Sequence, residues 1–133
     1  MKNTLNSICL LIILVIITYK GWNIADLFNP PTPINVDRYT VVIIEETESR
    51  QNLPQEQLNA INSQVWKDYI DSQGGQWRVL DPHTDVSKDK EWVKKALVAP
   101  RESLPWLIFA SPTRGYSGPL PQNLEELLEV IQQ

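Results

Sequence analysis

Two short segments made almost entirely of apolar residues set the strongest limit on how this chain can fold. Residues 39–45 read YTVVIIE and residues 104–110 read LPWLIFA, so neither alternates apolar with polar residues as a strand with one solvated face does. Runs of this kind are typical of strands that helices cover on both faces. They predict a central sheet between two layers of helix, which is an α/β architecture.

Helical periodicity and turn residues supply the elements between and after these strands. Apolar residues recur at spacings of three and four over residues 54–70, which predicts a helix, and a second strand is predicted over residues 76–81. A further helix is predicted over residues 87–97, with its first residue, a serine, as the cap. Residues 112–115 predict a hairpin turn, and Asn123 the cap of a last helix. The predicted order is β-α-β-α-β-β-α in one mixed sheet flanked by helices.

The size and charge of the chain exclude several classes of protein. Its 133 residues suit one domain with a short appendage. The formal net charge is -4, and Lys94 and Lys95 form the only adjacent basic pair in the sequence. Because binding to a phosphate backbone needs clustered lysine and arginine, we expect no nucleic-acid partner.

An unbroken apolar run lies near the amino terminus. It covers residues 8–17, and counting from Leu5 to Trp22 gives a segment at the lower edge of the roughly 20 residues that span a bilayer. We expect a single-pass transmembrane helix that acts as a signal anchor, with the soluble domain on the outer, extracytoplasmic side of the membrane. A cleaved signal peptide is the alternative, but it needs small residues at the first and third positions before the cut, and no convincing pair is present: a cut after Gly21 or Ala25 places Tyr19 or Asn23 at the third position.

The sequence divides into three parts. Residues 1–28 form the predicted signal anchor and its flank. Residues 29–36 form a linker, in which three prolines within four residues favour a stiff, extended chain. Residues 37–133 form the predicted folded domain, so the chain is expected to be one domain on one tether.

The order of the predicted elements resembles the thioredoxin-like fold over residues 37–133. The features that carry the likeness are Leu104 and Pro105 directly before a strand, a hairpin that contains glycine, and a terminal amphipathic helix. In that family the proline before the third strand is cis and lies beside the loop that follows the first strand. Pro105 matches that proline. The resemblance therefore implies a thioredoxin-like mixed sheet with Pro105 beside the segment that follows the first strand.

The redox motif of that family is absent from this sequence. In the family a C-x-x-C motif opens the first helix, but residues 48–52 read ESRQN here. Cys9 is the only cysteine of the sequence, and it lies inside the apolar run. Thiolate attack exchanges disulfides, and no other ordinary side chain replaces it. We therefore expect a domain that is not an enzyme and binds no cofactor.

The same resemblance implies a binding groove. The segment after the first strand should adjoin the segment that leads to Pro105, and in the family this region accepts extended peptide. The predicted groove residues are Ser49, Arg50, Gln51, Asn52, Arg101, Leu104, Pro105 and Trp106. The predicted function is that of a membrane-anchored, redox-inactive module for protein binding or scaffolding. Two alternatives stay open: an accessory factor in envelope thiol-disulfide chemistry or protein maturation whose partner supplies the cysteines, and a structural component of a membrane or virion assembly.

Other candidate sites have simpler explanations. His83 is the only histidine, and the cysteine or second histidine that a metal site needs is lacking nearby. Ser49, His83 and Asp85 could form a hydrolytic triad, but no nucleophile elbow or oxyanion loop accompanies them. We expect His83 to be exposed in a loop, and the three glutamates within residues 45–48 to form a solvated edge.

Overall fold

The computed structural model describes residues 32–133. The predicted anchor, residues 1–28, and the start of the linker lie outside the described residues, so both stay predictions from the sequence. Within residues 32–133, no helix combines the length and the apolar character that crossing a membrane requires.

Residues 32–133 contain four strands, four α-helices and one 3-10 helix. The strands are β1 (Thr40–Ile44), β2 (Gln76–Leu80), β3 (Trp106–Ala110) and β4 (Gly115–Pro119). The α-helices are α1 (Gln55–Asn62), α2 (Gln64–Ser72), α3 (Glu91–Val98) and α4 (Leu124–Gln132). The 3-10 helix (Thr47–Asn52) connects β1 to α1.

The four strands form one mixed sheet in the order β2-β1-β3-β4. β1 pairs with β2 in parallel, and Ile44 lies opposite Leu80. β3 runs antiparallel to both of its neighbours, β1 and β4. β1 and β3 are the central strands, and every residue of both is buried, as their nearly all-apolar sequences predict. The predicted mixed sheet is thereby confirmed.

Two hydrophobic clusters cover the two faces of the sheet. Because side chains alternate between faces along a strand, Val41 belongs to one cluster and Val42 to the other. The first cluster contains buried residues of α1, α2 and α4. The second contains Val93 and Ala96 of α3, together with Ile34 from the start of the domain. Helices therefore lie on both faces, as predicted, and α3 is the α-helix that covers the second face in the described part of the chain.

The helix predicted over residues 54–70 is in fact two helices. The chain leaves the helical conformation at Ser63, where φ is -61° and ψ is 132°, and the Ser63 hydroxyl accepts a hydrogen bond from the Val65 N–H at 3.2 Å. The Trp66 indole N–H donates to the Ala60 carbonyl oxygen at 2.9 Å, which satisfies a carbonyl at the end of α1. Both helices pack apolar residues on the same cluster. Periodicity alone therefore predicts helix on either side of Ser63 but not the break.

The caps of α4 and α3 differ in how well the sequence predicts them. Asn123 caps α4 as predicted, because its Oδ1 accepts a hydrogen bond from the Glu126 N–H at 2.9 Å. The predicted cap of α3, Ser87, is wrong, since that helix begins at Glu91. The Ser87 N–H instead donates to Asp85 Oδ1 at 3.0 Å, which forms a local turn in the preceding loop.

Candidate functional site

The candidate site lies where β1 ends and the 3-10 helix begins. The Glu45 N–H donates to the Leu80 carbonyl oxygen at 2.9 Å, which extends the pairing of β1 with β2 by one residue. The Thr47 N–H then donates to Asp81 Oδ2 at 2.9 Å. Because the carboxyl ends of parallel strands meet at one edge of a sheet, a carboxylate that follows β2 can reach the helix that follows β1.

The ionised carboxyl of Asp81 binds the first residue of the 3-10 helix. Its Oδ1 accepts a hydrogen bond from the His83 N–H at 2.8 Å, in addition to the bond that Oδ2 accepts from Thr47. The backbone N–H of Thr47, followed by that of His83, stabilises the ionised carboxyl and lowers the pKa of Asp81 to about 2. Asp81 is therefore a carboxylate at neutral pH, and it ties the 3-10 helix to the end of β2.

Glu45 is buried, with 3% of its surface exposed, and it pairs with Arg50. Arg50 Nε donates to Glu45 Oε2 at 3.1 Å, and Arg50 Nη2 contacts Glu45 Oε1. A carboxylate removed from water needs such a two-point partner. The prediction of a solvated acidic edge over residues 45–48 is therefore wrong for Glu45, whereas Glu46 and Glu48 are exposed.

A small depression lies beside this ion pair, and we call it the Pro105 depression. Its volume is about 50 Å³. Its lining residues are Glu45, Glu46, Ser49, Leu53, Leu104 and Pro105. The segment after β1 and the segment before β3 thus adjoin each other, as the resemblance implies. The Ser49 hydroxyl donates to Glu46 Oε2 at 3.1 Å, and the peptide bond between Leu104 and Pro105 is cis, which the resemblance also implies.

The backbone of Leu104 lies at the rim of this depression without a partner. The Pro105 carbonyl oxygen accepts a hydrogen bond from the Leu120 N–H at 3.0 Å, on the side of β4. β3 begins at Trp106, which lies opposite Ile44 of β1, and Leu104 precedes it in a bend. β1 ends at Ile44 and the chain then forms the 3-10 helix, so β1 does not extend alongside Leu104. Among residues 32–133, neither the N–H nor the C=O of Leu104 has a hydrogen-bonding partner.

Two further predicted groove residues lie at the 3-10 helix but outside the Pro105 depression. Gln51 lines a broader, open depression of about 440 Å³. That surface also includes Thr47, Glu48, Arg50, Leu58 and Asn62. Asn52 is exposed at the last position of the 3-10 helix. The predicted groove residues after β1 are therefore divided between two neighbouring surfaces.

Arg101 and Trp106 direct their polar groups into the fold. Arg101 Nη1 donates to the Leu97 carbonyl oxygen at 2.8 Å and to the Ala99 carbonyl oxygen at 3.3 Å, so its guanidinium satisfies the end of α3. Trp106 is 7% exposed, and its indole N–H donates to Ser117 Oγ at 3.1 Å. Neither side chain lines the Pro105 depression.

The alternative catalytic and metal arrangements are not assembled in the described part of the chain. The His83 side chain is 85% exposed, as predicted, and its Nδ1 lies 3.2 Å from Asp81 Oδ1. The Ser49 hydroxyl bonds to Glu46, and no hydrogen bond joins it to His83 or Asp85 within residues 32–133. In the same range, no group of three or more histidine, cysteine, aspartate or glutamate side chains could hold a metal ion.

Two acidic residues of the site, Glu45 and Asp81, were not predicted as site residues. Each directly follows the last residue of a strand, Ile44 in β1 and Leu80 in β2. Parallel strands end at the same edge of a sheet, where side chains from separate loops meet. An acidic residue directly after an apolar strand is therefore the signal that could have found both.

No protein-family model, no curated protein and no solved structure matches the chain. A function therefore has to be proposed from the geometry of the Pro105 depression itself. The depression combines an unpaired stretch of backbone, an exposed leucine and a polar rim. The single cysteine of the sequence, Cys9, lies outside residues 32–133.

Proposed function

We propose that this chain is a membrane-anchored, redox-inactive protein-binding domain whose Pro105 depression holds an extended segment of a partner protein. The observation that carries the proposal is the unpaired backbone of Leu104 beside the depression. A segment in extended conformation can donate to and accept from such backbone groups, as in recognition by strand addition. The partner gains main-chain hydrogen bonds that the fold itself leaves unused.

The side chains around Leu104 fit the same role. The Leu104 side chain is 38% exposed, and with Leu53 and Pro105 it gives the depression an apolar part. Ser49 and Glu46 give it a polar rim. An apolar centre with a polar rim is the usual composition of a small recognition surface. We infer that a partner residue with an apolar side chain occupies the depression while its backbone pairs with Leu104.

The thioredoxin-like arrangement is part of this proposal. It is supported by the order of the strands and helices and by the position of Pro105 beside the segment that follows β1. Because Cys9 is the only cysteine, the domain has no thiolate for disulfide exchange, and we propose contact without redox chemistry. The predicted single-pass anchor over residues 5–22 would hold the domain on the outer side of the membrane.

Site-specific photo-crosslinking in native membranes tests the proposal. A photoreactive residue at Leu104 of the full chain should give a crosslink to one specific protein, identified by mass spectrometry. The same residue at Asp71, which is exposed on α2, is the control and should not give that product. Only self-links from Leu104, or the same products from both positions, would contradict the proposal.

A pair of matched tryptophan variants separates the Pro105 depression from its neighbour. Ser49→Trp should fill the depression and abolish the Leu104 crosslink, because Ser49 lines it. Gln51→Trp adds the same side chain two residues away, on the other depression, and should leave the crosslink in place. Equal loss from both variants would show that the Pro105 depression is not the binding surface.

A further inference from the structure

Basic residues of this acidic protein gather around α3. The chain has a formal net charge of -4, yet residues 88–102 contain five basic and three acidic residues. Two of the acidic residues are engaged in ion pairs: Glu91 contacts Lys94 Nζ at 3.0 Å, and Asp89 contacts Arg78 at 3.2 Å. The third, Glu102, is exposed after the helix. This part of the domain therefore carries a local excess of positive charge.

We call the exposed surface formed by Lys88, Lys90, Lys94, Lys95 and Val98 the α3 face. Lys88, Lys90 and Lys95 are exposed and form no salt bridge within residues 32–133. Val98 is 79% exposed, which makes it the most exposed large hydrophobic residue in the described part of the chain. Lys94 and Lys95, four and three residues before Val98, flank this uncovered apolar side chain, and Lys88 and Lys90 add positive charge before the first turn of the helix.

The helix presents this face away from the sheet. Val93 and Ala96 are buried in the second hydrophobic cluster, which fixes the inward side of α3. Lys95 and Val98 are three residues apart, and they occupy the opposite, solvated side at helical spacing. Positive charge on an exposed helix side attracts the headgroups of an anionic membrane, and Val98 adds an apolar contact to it.

The chain enters the domain on the same side of the sheet. Ile34 is 3% exposed and belongs to the cluster that contains Val93, and Val36 packs against that cluster. Thr32 follows Trp22, the end of the predicted anchor, by ten residues, which span at most about 35 Å. A domain of about 100 residues has a radius of gyration of about 13 Å. The tether is therefore long enough for the α3 face to reach the bilayer that holds the anchor.

We propose that the α3 face lies on the headgroup layer of that bilayer and binds anionic phospholipid. The inference rests on the membrane anchoring in the proposed function. Each lysine close to an anionic surface strengthens the association by about five-fold. An acidic protein would meet the same charges, but the entry of the chain on this side favours the membrane as the occupant. The Pro105 depression, at the carboxyl end of β1, stays available for the partner protein.

Fluorescence from a single labelled cysteine in the full chain tests this inference. In a Cys9→Ser background, Val98→Cys on the α3 face or Asp71→Cys on α2 is labelled with an environment-sensitive dye, and the chain is reconstituted into vesicles. The vesicles contain phosphatidylcholine alone or a mixture with phosphatidylglycerol, each with a nitroxide-labelled lipid as quencher. We expect quenching of the Val98 probe in the mixture and much less in phosphatidylcholine. The Asp71 probe should stay unquenched in both.

Charge variants test whether the lysines of the α3 face cause its contact with anionic lipid. Lys88→Gln together with Lys95→Gln should lower the ratio of docked to undocked protein about 25-fold, since two lysines at about five-fold each are removed. Lys67→Gln, on α2, removes one positive charge from the other side of the sheet and should leave the Val98 signal unchanged. Equal effects of the two variants would overturn the role of the α3 face.

Extraction with alkaline carbonate distinguishes this inference from the proposed function. A chain that stays in the vesicles while its Val98 and Asp71 probes behave alike overturns the α3 inference and leaves the anchoring intact. A chain that is washed out contradicts both. If polyglutamate shields the Val98 probe and anionic lipid does not, the occupant is an acidic polypeptide and the membrane proposal is wrong.

Discussion

The two segments that border the Pro105 depression use their side chains differently. In the segment after β1, Ser49 lines the depression, and its hydroxyl bonds to exposed Glu46. In the segment before β3, Arg101 directs its guanidinium to the end of α3, and Leu104 is left at the rim. Trp106, the first residue of β3, directs its indole N–H to β4. Ser49 can therefore be replaced with little cost to the fold, whereas Arg101 and Trp106 are part of the fold. Substitutions should separate binding from stability accordingly.

The largest expected effect is that of Trp106→Ala, at the first residue of β3. Replacing a buried tryptophan by alanine costs about 3–5 kcal/mol of unfolding free energy, and Trp106 is 7% exposed. Denaturant unfolding of the full chain in detergent measures the loss. Trp106→Phe is the control: it keeps most of the volume and removes the hydrogen bond to Ser117, so it should cost less. A Trp106→Ala protein of unchanged stability that has lost its partner would reverse the comparison.

The second-largest loss of stability is expected from breaking the Glu45–Arg50 ion pair, which belongs to the border after β1. Arg50→Met leaves the Glu45 carboxylate buried without a partner, and we expect a loss of about 2 kcal/mol. The loss should be smaller than that of a fully buried pair, because 38% of the Arg50 side chain is exposed. Adding Glu45→Gln to Arg50→Met should restore part of the stability, since the unpaired charge is removed. Additive losses from the two substitutions would show that the pair does not couple.

The layered sheet is the part of the fold that the sequence predicts well. Residues 39–45 and 104–110 are almost entirely apolar, and short runs of this kind with β-branched and aromatic residues are typical of a strand covered on both faces. The break at Ser63 was missed for a physical reason. Serine is accepted both inside a helix and at its cap, so the residue type at position 63 does not decide between the two. In the structure the Ser63 hydroxyl caps α2, and the Trp66 indole N–H bonds to the Ala60 carbonyl oxygen.

The candidate site was predicted only in outline. Adjacency of Ser49 and Pro105 follows from the resemblance, but the inward direction of Arg101 does not, because an arginine near a helix end can face solvent or bond to the last carbonyls. The role of Asp81 was missed because its partner, the Thr47 N–H, is 34 residues away. Contacts at that separation depend on which strands pair, and residue type alone does not give them.

A smaller loss of stability is expected from Arg101→Ala, in the segment before β3 that bonds to the end of α3. The substitution removes two hydrogen bonds to the carbonyls of Leu97 and Ala99, and we expect a loss of about 1 kcal/mol. Arg101→Lys should recover part of it, because a cation remains near the carboxyl end of the helix. Thermal unfolding measures both variants. If Arg101→Ala abolishes the Leu104 crosslink at unchanged stability, Arg101 contacts the partner and the structural role is wrong.

The smallest effect is the pH dependence supplied by Asp81, which reaches the border after β1 through the Thr47 N–H. Its pKa is lowered to about 2 in the folded protein, against about 3.9 for an unperturbed aspartate. A carboxyl whose pKa is depressed by folding stabilises the folded state above its unfolded pKa, and this stabilisation is lost as the pH falls through its folded pKa. Asp81→Asn should therefore be less stable than the natural protein at neutral pH, and the difference should shrink between about pH 4 and pH 2.

Amide hydrogen exchange locates the effect of Asp81 on one side of the depression. The Thr47 N–H donates to the Asp81 carboxylate, so Asp81→Asn should speed its exchange at neutral pH. The N–H of Leu120, which bonds to Pro105 on the other border, should exchange as before. Faster exchange at both positions would mean that the two borders open together. In that case the border after β1 cannot be altered without disturbing the border before β3.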